Sequence, residues 1–356
     1  YVEAPSFRNL IINGDMSIDQ RNSGASQTIA SANTYYIDRF LAREVTDGAL
    51  TIDQDTTSPD DFTHSMKITT TTADSSLSST QRAYVVQKIE GYNISKLAFG
   101  TSSAKSITIS FYVRSSLTGT FSGSILNESE NRSYVFEYTI SSANTWERKT
   151  ITIAGDTSGT WDKDNTVGIL IYFSMGMGST YSGTAGAWSS NQLFASTGST
   201  NLIGTLDATW YMTGLQIEEG TSASDFEFVP FDVNFRRCQR YYKEIIRSLG
   251  SDTQIANGTM YTANQFYGVL YLGGEQMRAT PTISQTTGSS IYDVLGNSHA
   301  YAHNSITAFA QITNGASSNC RVNVSGVSGK SQGQGAWVRY GGPSTTNDFI
   351  SADAEL

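Results

Sequence analysis

The residues with the clearest potential for chemistry are three large aromatic side chains in glycine-rich segments. Trp161, Tyr181 and Trp188 lie on either side of the apolar run 167–173, and carboxylates and amides are interspersed among them. A flat ring gains free energy when it is desolvated against the apolar face of a sugar, and nearby polar groups orient the sugar hydroxyls. The sequence therefore predicts a saccharide-binding patch formed by Trp161, Tyr181, Trp188, Asp156, Asp162 and Asn165. The alternative is that the rings close one end of a β-sandwich and belong to its core.

A second aromatic cluster lies in the last third of the chain. Tyr301, Trp337 and Tyr340 stand near turns that are rich in glycine, serine and asparagine. The same combination of ring faces and polar groups predicts that Tyr301, Trp337 and Tyr340 form a second candidate saccharide patch. Here too the alternative is that the rings pack into the core.

Catalytic chemistry has little support in the residue types. The chain has only three histidines, His64, His299 and His303, and its two cysteines, Cys238 and Cys320, lie far apart. Zinc centres need converging ligands, and nucleophilic catalysis needs a base beside the nucleophile. A glycosidase needs two carboxyl groups across a sugar ring, an arrangement that spacing along the chain cannot reveal. We therefore expect no catalytic residues, no metal centre and no enzymatic activity.

One short segment has partial support for a metal ion. Asp162, Asp164 and Asn165 offer hard oxygen ligands close together in the sequence. The segment lacks the glycine and the final glutamate of the helical calcium-binding loop. A structural calcium ion is therefore the alternative to a solvated turn, and no other cofactor is expected.

Charge and hydropathy restrict the possible partners. The 23 lysines and arginines against 32 aspartates and glutamates give a net charge of −9, which opposes binding to a phosphate backbone. No run approaches the roughly 18 to 20 apolar residues that a bilayer requires. We therefore expect neither nucleic-acid binding nor membrane insertion.

The composition and the residue periodicity predict an all-β fold. Serine and threonine make up 90 of the 356 residues, and glycine and aromatic residues are abundant. Residues 106–114 alternate between apolar and polar side chains, as in a half-buried strand, and 167–173 reads as a central strand. The length exceeds that of a single ordinary core. We expect two β-sandwich domains that are joined by a short helix.

The boundary between these domains is predicted from a change in composition and residue periodicity near residue 230. Residues 233–247 contain no glycine, proline, serine or threonine. Asp232 can cap a helix that continues to about residue 239, and the residues after 242 fit a strand. The prediction is therefore a first domain over 1–230, a helical and strand connector over 231–248, and a second β-sandwich over 249–356.

Several phrases of the sequence resemble those of bacteriophage tail fibre, spike and appendage proteins. They occur in the expected order over nearly the whole chain, and none is a catalytic motif. The phrases are 8–22 (RNLIINGDMSIDQRN), 36–40 (YIDRF), 106–116 (SITISFYVRSS), 155–161 (GDTSGTW), 213–220 (TGLQIEEG), 225–231 (DFEFVPF), 238–242 (CQRYY), 277–282 (MRATPT) and 352–356 (ADAEL).

The resemblance implies a virion protein located in an extracellular appendage. It implies a homotrimer, a first domain like the jelly rolls of carbohydrate-binding modules, and a second domain nearer the distal tip. It also implies that the N-terminal side joins other virion proteins. No ligand residues carry over from the family, so the two patches above rest on residue chemistry alone.

These observations favour a receptor-binding protein that attaches without catalysis to host-surface polysaccharide. One rival is a depolymerase that cuts such a polysaccharide. Phage depolymerases usually resemble long parallel β-helices, and the chain has no short regular strand repeat of that kind. The other rival is a structural knob or capsid decoration protein without a ligand.

Overall fold

The computed structural model of the protein describes residues 7–247, 253–273, 276–287, 291–296, 299–303, 306, 308–311, 319–340 and 349–356, and for 299–303, 308–311 and 319 it describes the backbone only. The chain divides into two compact units, Tyr1–Asn234 together with Leu356, and Phe235–Glu355. The predicted all-β class with a short helix is confirmed, since antiparallel sheets dominate both units. Among the helices of the described residues, none combines the length and apolar character that crossing a membrane requires.

The first unit is a sandwich of two antiparallel sheets. Its strands are β1 Gln27–Thr28, β2 Thr34–Ile37, β3 Phe40–Val45, β4 Ala49–Asp55, β5 Ser65–Thr72, β6 Arg82–Glu90, β7 Ile107–Ser115, β8 Gly119–Leu126, β9 Ser133–Ile140, β10 Glu147–Ile153, β11 Val167–Met177, β12 Ser182–Gly183, β13 Trp188–Ser189, β14 Ala195–Ser196 and β15 Thr209–Glu219. One sheet has the order β1-β4-β5-β15-β7-β10 and the other β13-β9-β8-β11-β6-β3-β2, while β12 and β14 form a separate parallel pair. Helix α1 is Gly91–Ile94, and single 3-10 turns are Ser95–Leu97, Ser179–Tyr181 and Leu202–Gly204.

Alternation along the strands places the core between the two sheets. Phe111 of β7 meets Phe173 of β11 at 5.3 Å between ring centroids, and Trp210 of β15 lies 5.9 Å from the same Phe173 ring. Strand β11 is central, as the apolar run predicts, and it is buried on both faces. Its outward Tyr172 is covered by Phe194, at 4.6 Å between ring centroids, because residues 178–200 fold back over this sheet.

In the described residues of the second unit, the strands also form two sheets. Helix α2, Phe231–Gln239, begins in the first unit and continues into the second, which starts at Phe235. The strands that follow are β16 Tyr242–Arg247, β17 Gln254–Thr262, β18 Gln265–Tyr271, β19 Thr282–Gln285, β20 Tyr292–Gly296, β21 His299–His303, β22 Ala308–Gln311, β23 Asn319–Ser325, β24 Gly335–Tyr340 and β25 Phe349–Asp353. The sheets have the orders β16-β25-β19 and β21-β20-β24-β17-β18-β23-β22. Residues 242–247, which the sequence assigns to a connector, pair with β25 inside this unit. That the first unit binds carbohydrate and that the second forms a distal tip stay predictions.

Candidate functional site

Trp161 belongs to the core of the first unit. Its side chain is 4 % exposed, and its ring centroid lies 5.0 Å from that of Phe99 and 5.5 Å from that of Trp188. The indole Nε1 donates a hydrogen bond to the Ser158 carbonyl at 3.1 Å, so its polar atom is satisfied within the loop. The prediction that Trp161 lines an open patch is wrong, because the ring fills the space between Phe99 and Trp188.

Trp188 keeps part of its surface. The ring contacts Phe99 and Tyr134 edge-on, and its Nε1 donates to the Ala154 carbonyl at 2.7 Å. Its strand β13 pairs with β9, where Trp188 lies opposite Tyr134. The half-buried ring therefore packs along the sheet edge, and a role in ligand binding stays a prediction.

Asp156 is fully committed to an internal ion pair. Its two carboxylate oxygens accept hydrogen bonds from Arg132 Nε at 2.7 Å and Arg132 Nη2 at 2.8 Å. The Ser158 amide also donates to Asp156 Oδ1, at 3.0 Å. The carboxylate is buried. The prediction that it orients a sugar hydroxyl is wrong, because burial left this acceptor with internal donors only.

Tyr181 lies in a different cluster from the two tryptophans. Its ring packs 5.3 Å from that of Phe194, and the Arg82 guanidinium carbon lies 4.6 Å from its centroid. This cluster covers the outer face of the seven-stranded sheet of the first unit, whereas Trp161 and Trp188 pack against the core between the two sheets of that unit. The structure therefore does not bring the three predicted rings together.

The remaining polar residues of the first patch lie in an acidic turn. Partial burial, and after it the hydrogen bond and negative charge of Asp162, raise the pKa of Glu128. Asp164 Oδ1 accepts from the Thr166 amide at 2.8 Å, which closes the turn beside Asn165. Within the described part of the chain, the turn 162–165 included, no group of three or more histidine, cysteine, aspartate or glutamate side chains is placed to hold a metal ion.

The second predicted patch is split by strand alternation. On β24, Trp337 points outward and is 39 % exposed, while Tyr340 points inward and packs 6.3 Å from the Tyr292 ring. The prediction that Tyr340 contacts a ligand is wrong, because residues three apart on a strand lie on opposite faces. The backbone of Tyr301 lies in β21, but its side chain is outside the described residues.

Trp337 shares its face with exposed aromatic residues that the sequence analysis did not select. We call this surface the tyrosine face. Its outward side chains are Tyr261, Tyr267, Val269, Tyr271 and Trp337. Tyr271 is 61 % exposed and Tyr261 is 55 % exposed. The tyrosine face thus presents large aromatic side chains from three neighbouring strands, β24, β17 and β18.

The register of the strands arranges polar groups among these rings. Asn257 of β17 lies between Trp337 of β24 and Val269 of β18, and Arg321 of β23 lies opposite Val269 on the other side. These four strands span roughly 14 Å, as three strand spacings of about 4.8 Å. The face is therefore wide enough for an oligosaccharide.

Two tyrosines of this face are stacked. The rings of Tyr261 and Tyr267 are 4.5 Å apart between centroids and 1° from parallel. Tyr261 lies at a β-bulge, where it has no cross-strand partner, and this frees its ring to lie over its neighbour. The Arg321 guanidinium carbon lies 5.3 Å from the Tyr267 centroid. Flat apolar surface and hydrogen-bond donors are therefore held side by side.

The signal for these residues was present in the sequence as a period of two. In β18, Gln265, Tyr267, Val269 and Tyr271 face outward, and the residues between them are buried. Large aromatic residues at every second outward position are unusual on a solvated sheet face, where polar residues are expected. A search for exposed faces of predicted strands, rather than for rings in loops, would have found them.

Comparison with known proteins gives structural similarity only. No family model matches the chain, and no curated protein matches its sequence. The chain resembles the enzymatically active domain of tailspike protein 4 of bacteriophage CBA120, with 12% identity and a TM-score of 0.33 over 60% of this chain and 22% of that one. A sugar-binding protein of Bacteroides thetaiotaomicron is matched with 13% identity and a TM-score of 0.35 over 60% of this chain and 100% of that one. A family 11 carbohydrate-binding module of Clostridium thermocellum is matched with 13% identity and a TM-score of 0.29 over 56% of this chain and 97% of that one.

Proposed function

We propose that the protein binds polysaccharide through the tyrosine face and does so without cleaving it. The observation that carries this proposal is the set of exposed rings on one sheet face, with Tyr271 and Tyr261 more than half exposed. Exposed apolar surface of this kind has a cost in water and marks interaction sites. Sugars combine apolar ring faces with hydroxyl groups, and the tyrosine face offers both complements.

The polar groups on the face supply the orientation that stacking lacks. Asn257 carries an amide that can both donate and accept, and Arg321 carries donors only. Both lie next to the apolar Val269 in the strand register. A ligand with hydroxyl groups at its edges can therefore stack and form hydrogen bonds at the same time.

The setting that we propose is an extracellular bacteriophage appendage that attaches to the host surface. Its support is the ordered set of sequence phrases that resemble tail fibre and appendage proteins. We further propose a homotrimer whose N-terminal side contacts other virion proteins. Three copies strengthen weak sugar contacts, because a tethered second site meets its ligand at an effective concentration near the millimolar range.

The test is a glycan array with the purified full chain, run beside a sugar-release assay on any polysaccharide that binds. Tyr271→Ser is the test variant, and Tyr92→Ser is its control, because Tyr92 is equally exposed but belongs to the first unit. We expect Tyr271→Ser to weaken binding at one site by about tenfold, since a ring contact is worth roughly 0.5 to 1.5 kcal/mol beyond area burial. Tyr92→Ser should bind as the parent does.

The other outcomes identify the rival functions. Release of reducing sugar would make the protein a depolymerase. Absence of both binding and release would support a structural knob. Loss of trimers together with binding in Tyr271→Ser, measured by mass photometry, would make the tyrosine face a contact between copies of the chain and overturn the proposal.

A further inference from the structure

The first unit contains a small open cavity that is separate from the tyrosine face. Its volume is 260 Å³. Its wall combines carboxylates with phenyl rings: the lining side chains that matter are Asp15, Asp61, Phe62, Phe228, Phe231 and Asn234. Small-molecule sites usually measure roughly 300 to 1,000 Å³, so this cavity suits a small group.

The polar side of the cavity is held in place by a buried amide. Asn234 Oδ1 accepts a hydrogen bond from the backbone amide of Asn13 at 3.2 Å. Its Nδ2 donates hydrogen bonds to Asp15 Oδ1 at 3.1 Å and to Ser17 Oγ at 3.4 Å. The backbone of this loop is fixed as well, since Thr213 Oγ1 donates to the Asp15 carbonyl at 3.2 Å. The Asp15 carboxylate is therefore oriented before any ligand arrives.

The aromatic side is equally well supported. Phe62 and Phe228 lie 5.1 Å apart between ring centroids, and Phe226 packs against both, at 5.2 and 4.9 Å. Gly214 makes room for Phe62, because a Cβ at this position would lie 2.7 Å from the Phe62 ring. Its φ of +62° also favours glycine. Phe228 lines the cavity and is also exposed to solvent.

The formal charges of the cavity lining are all negative. Asp15 and Asp61 are acidic, and none of the residues that line this cavity is a lysine, arginine or histidine. The faces of phenyl rings are also negative, because of the aromatic quadrupole. Carboxylates attract a cation, and so does a ring that presents its face to one, most of all when the charge is on an alkylated or protonated nitrogen.

A bare metal ion does not fit this lining. Calcium takes six to eight oxygen ligands, and magnesium needs a nearly ideal octahedron of oxygens. The charged oxygens of this lining come from two carboxylates, and three phenyl rings occupy much of the remaining wall. We propose that the cavity binds a small organic cation, either a protonated amine or a quaternary ammonium group. This site lies in the first unit and does not depend on the function proposed for the tyrosine face.

The experiment is a calorimetric titration of the full chain with choline, beside its uncharged analogue 3,3-dimethylbutanol. The two probes have the same shape and differ in charge. We expect choline to bind and the alcohol to bind at least about tenfold more weakly. Both probes can make apolar contacts with the rings, but only the charged probe is attracted electrostatically by the rings and the carboxylates. Equal binding of the two probes, or binding of neither, would overturn the proposal.

Variants separate the cavity from the general acidity of the surface. Asp61→Asn should weaken choline binding by about fivefold to tenfold, and Phe228→Leu by roughly threefold. Asp15→Asn should act like Asp61→Asn while keeping an acceptor for Asn234. Asp60→Asn is the matched control, since Asp60 is exposed next to Asp61 but does not line the cavity. If Asp60→Asn weakens binding as much as Asp61→Asn does, the cation associates with the surface charge and the cavity is not its site.

Discussion

Asp38 should make the stability of the first unit depend on pH, and Asp38→Asn tests this. The Asp38 side chain is buried, with 1 % exposure. It accepts a hydrogen bond from the backbone amide of Gln20 at 3.2 Å and another from the side-chain Nε2 of Gln20 at 2.5 Å. Burial raises the pKa of Asp38 to about 7, and it outweighs the opposite effects of the Gln20 hydrogen bond and the Arg21 charge. The folded protein therefore holds this proton at a pH where the unfolded chain has released it.

The magnitude follows from the difference between the two pKa values. The unfolded carboxyl titrates near 3.8, so the window runs from there to about 7. Each pH unit in this window lowers the free energy of unfolding by about 1.4 kcal/mol, because the unfolded state binds fewer protons. The contribution of Asp38 is complete below about pH 4, decreases by about 4 kcal/mol by pH 7, and is constant above it.

The assay is denaturant unfolding at pH 5 and pH 8. Four of the five tryptophans lie in the first unit, so a Trp337→Phe background makes fluorescence report on that unit alone. Between these pH values, the parent should lose about 3 kcal/mol more than Asp38→Asn does, because the neutral amide does not titrate. Asp61→Asn, which removes an exposed carboxylate instead of a buried one, is the control. Parallel pH profiles for the parent and Asp38→Asn would refute the reasoning.

The buried ion pair, the buried indole and the guanidinium on the tyrosine face each provide a further test. Arg132→Met leaves Asp156 buried without its partner and should lower the free energy of unfolding by about 3 kcal/mol in a denaturant titration. Trp161→Ala should cost about 3 to 5 kcal/mol in the same assay, while the folded variant binds glycans normally; lost binding would restore Trp161 to the site. Arg321→Gln should weaken binding of a uronic-acid polysaccharide by about threefold and leave a neutral one unchanged, and salt should weaken only the former in biolayer interferometry. Equal losses for both polysaccharides would assign Arg321 a stacking role rather than a charge role.

The fold could be predicted because strand periodicity is local. Residues 106–114 alternate, and the observed strand β7 runs from Ile107 to Ser115 with its apolar residues in the core. The helix predicted from Asp232 to about residue 239 was also correct in place, although it begins one residue earlier, at Phe231, after Pro230. Proline commonly precedes or opens the first turn of a helix, since its missing amide hydrogen is not needed there.

The site could not be predicted in the same way, because the position of a loop residue depends on distant partners. Trp161 stands in a glycine-rich loop, yet its ring packs against Phe99, which lies far earlier in the chain. Asp156 looks like a free acceptor in the sequence, but it pairs with Arg132, which lies just before β9 and 24 residues away in the chain. Glycine near a ring therefore indicates room for close packing as readily as it indicates an open surface.

The covering of a sheet face, rather than the number of rings on it, decides which aromatic residues can meet a ligand. In the first unit, Tyr172 and Tyr84 point away from the main core, but Phe194 packs over both and they are buried. In the second unit, Tyr271 projects from an equivalent kind of antiparallel sheet and is mostly exposed. A covered ring contributes to stability, and an open ring can stack on a sugar. Residues 178–200 thus turn the outer sheet face of the first unit into a second layer of core, whereas Tyr261 and Tyr271 of the tyrosine face stay more than half exposed.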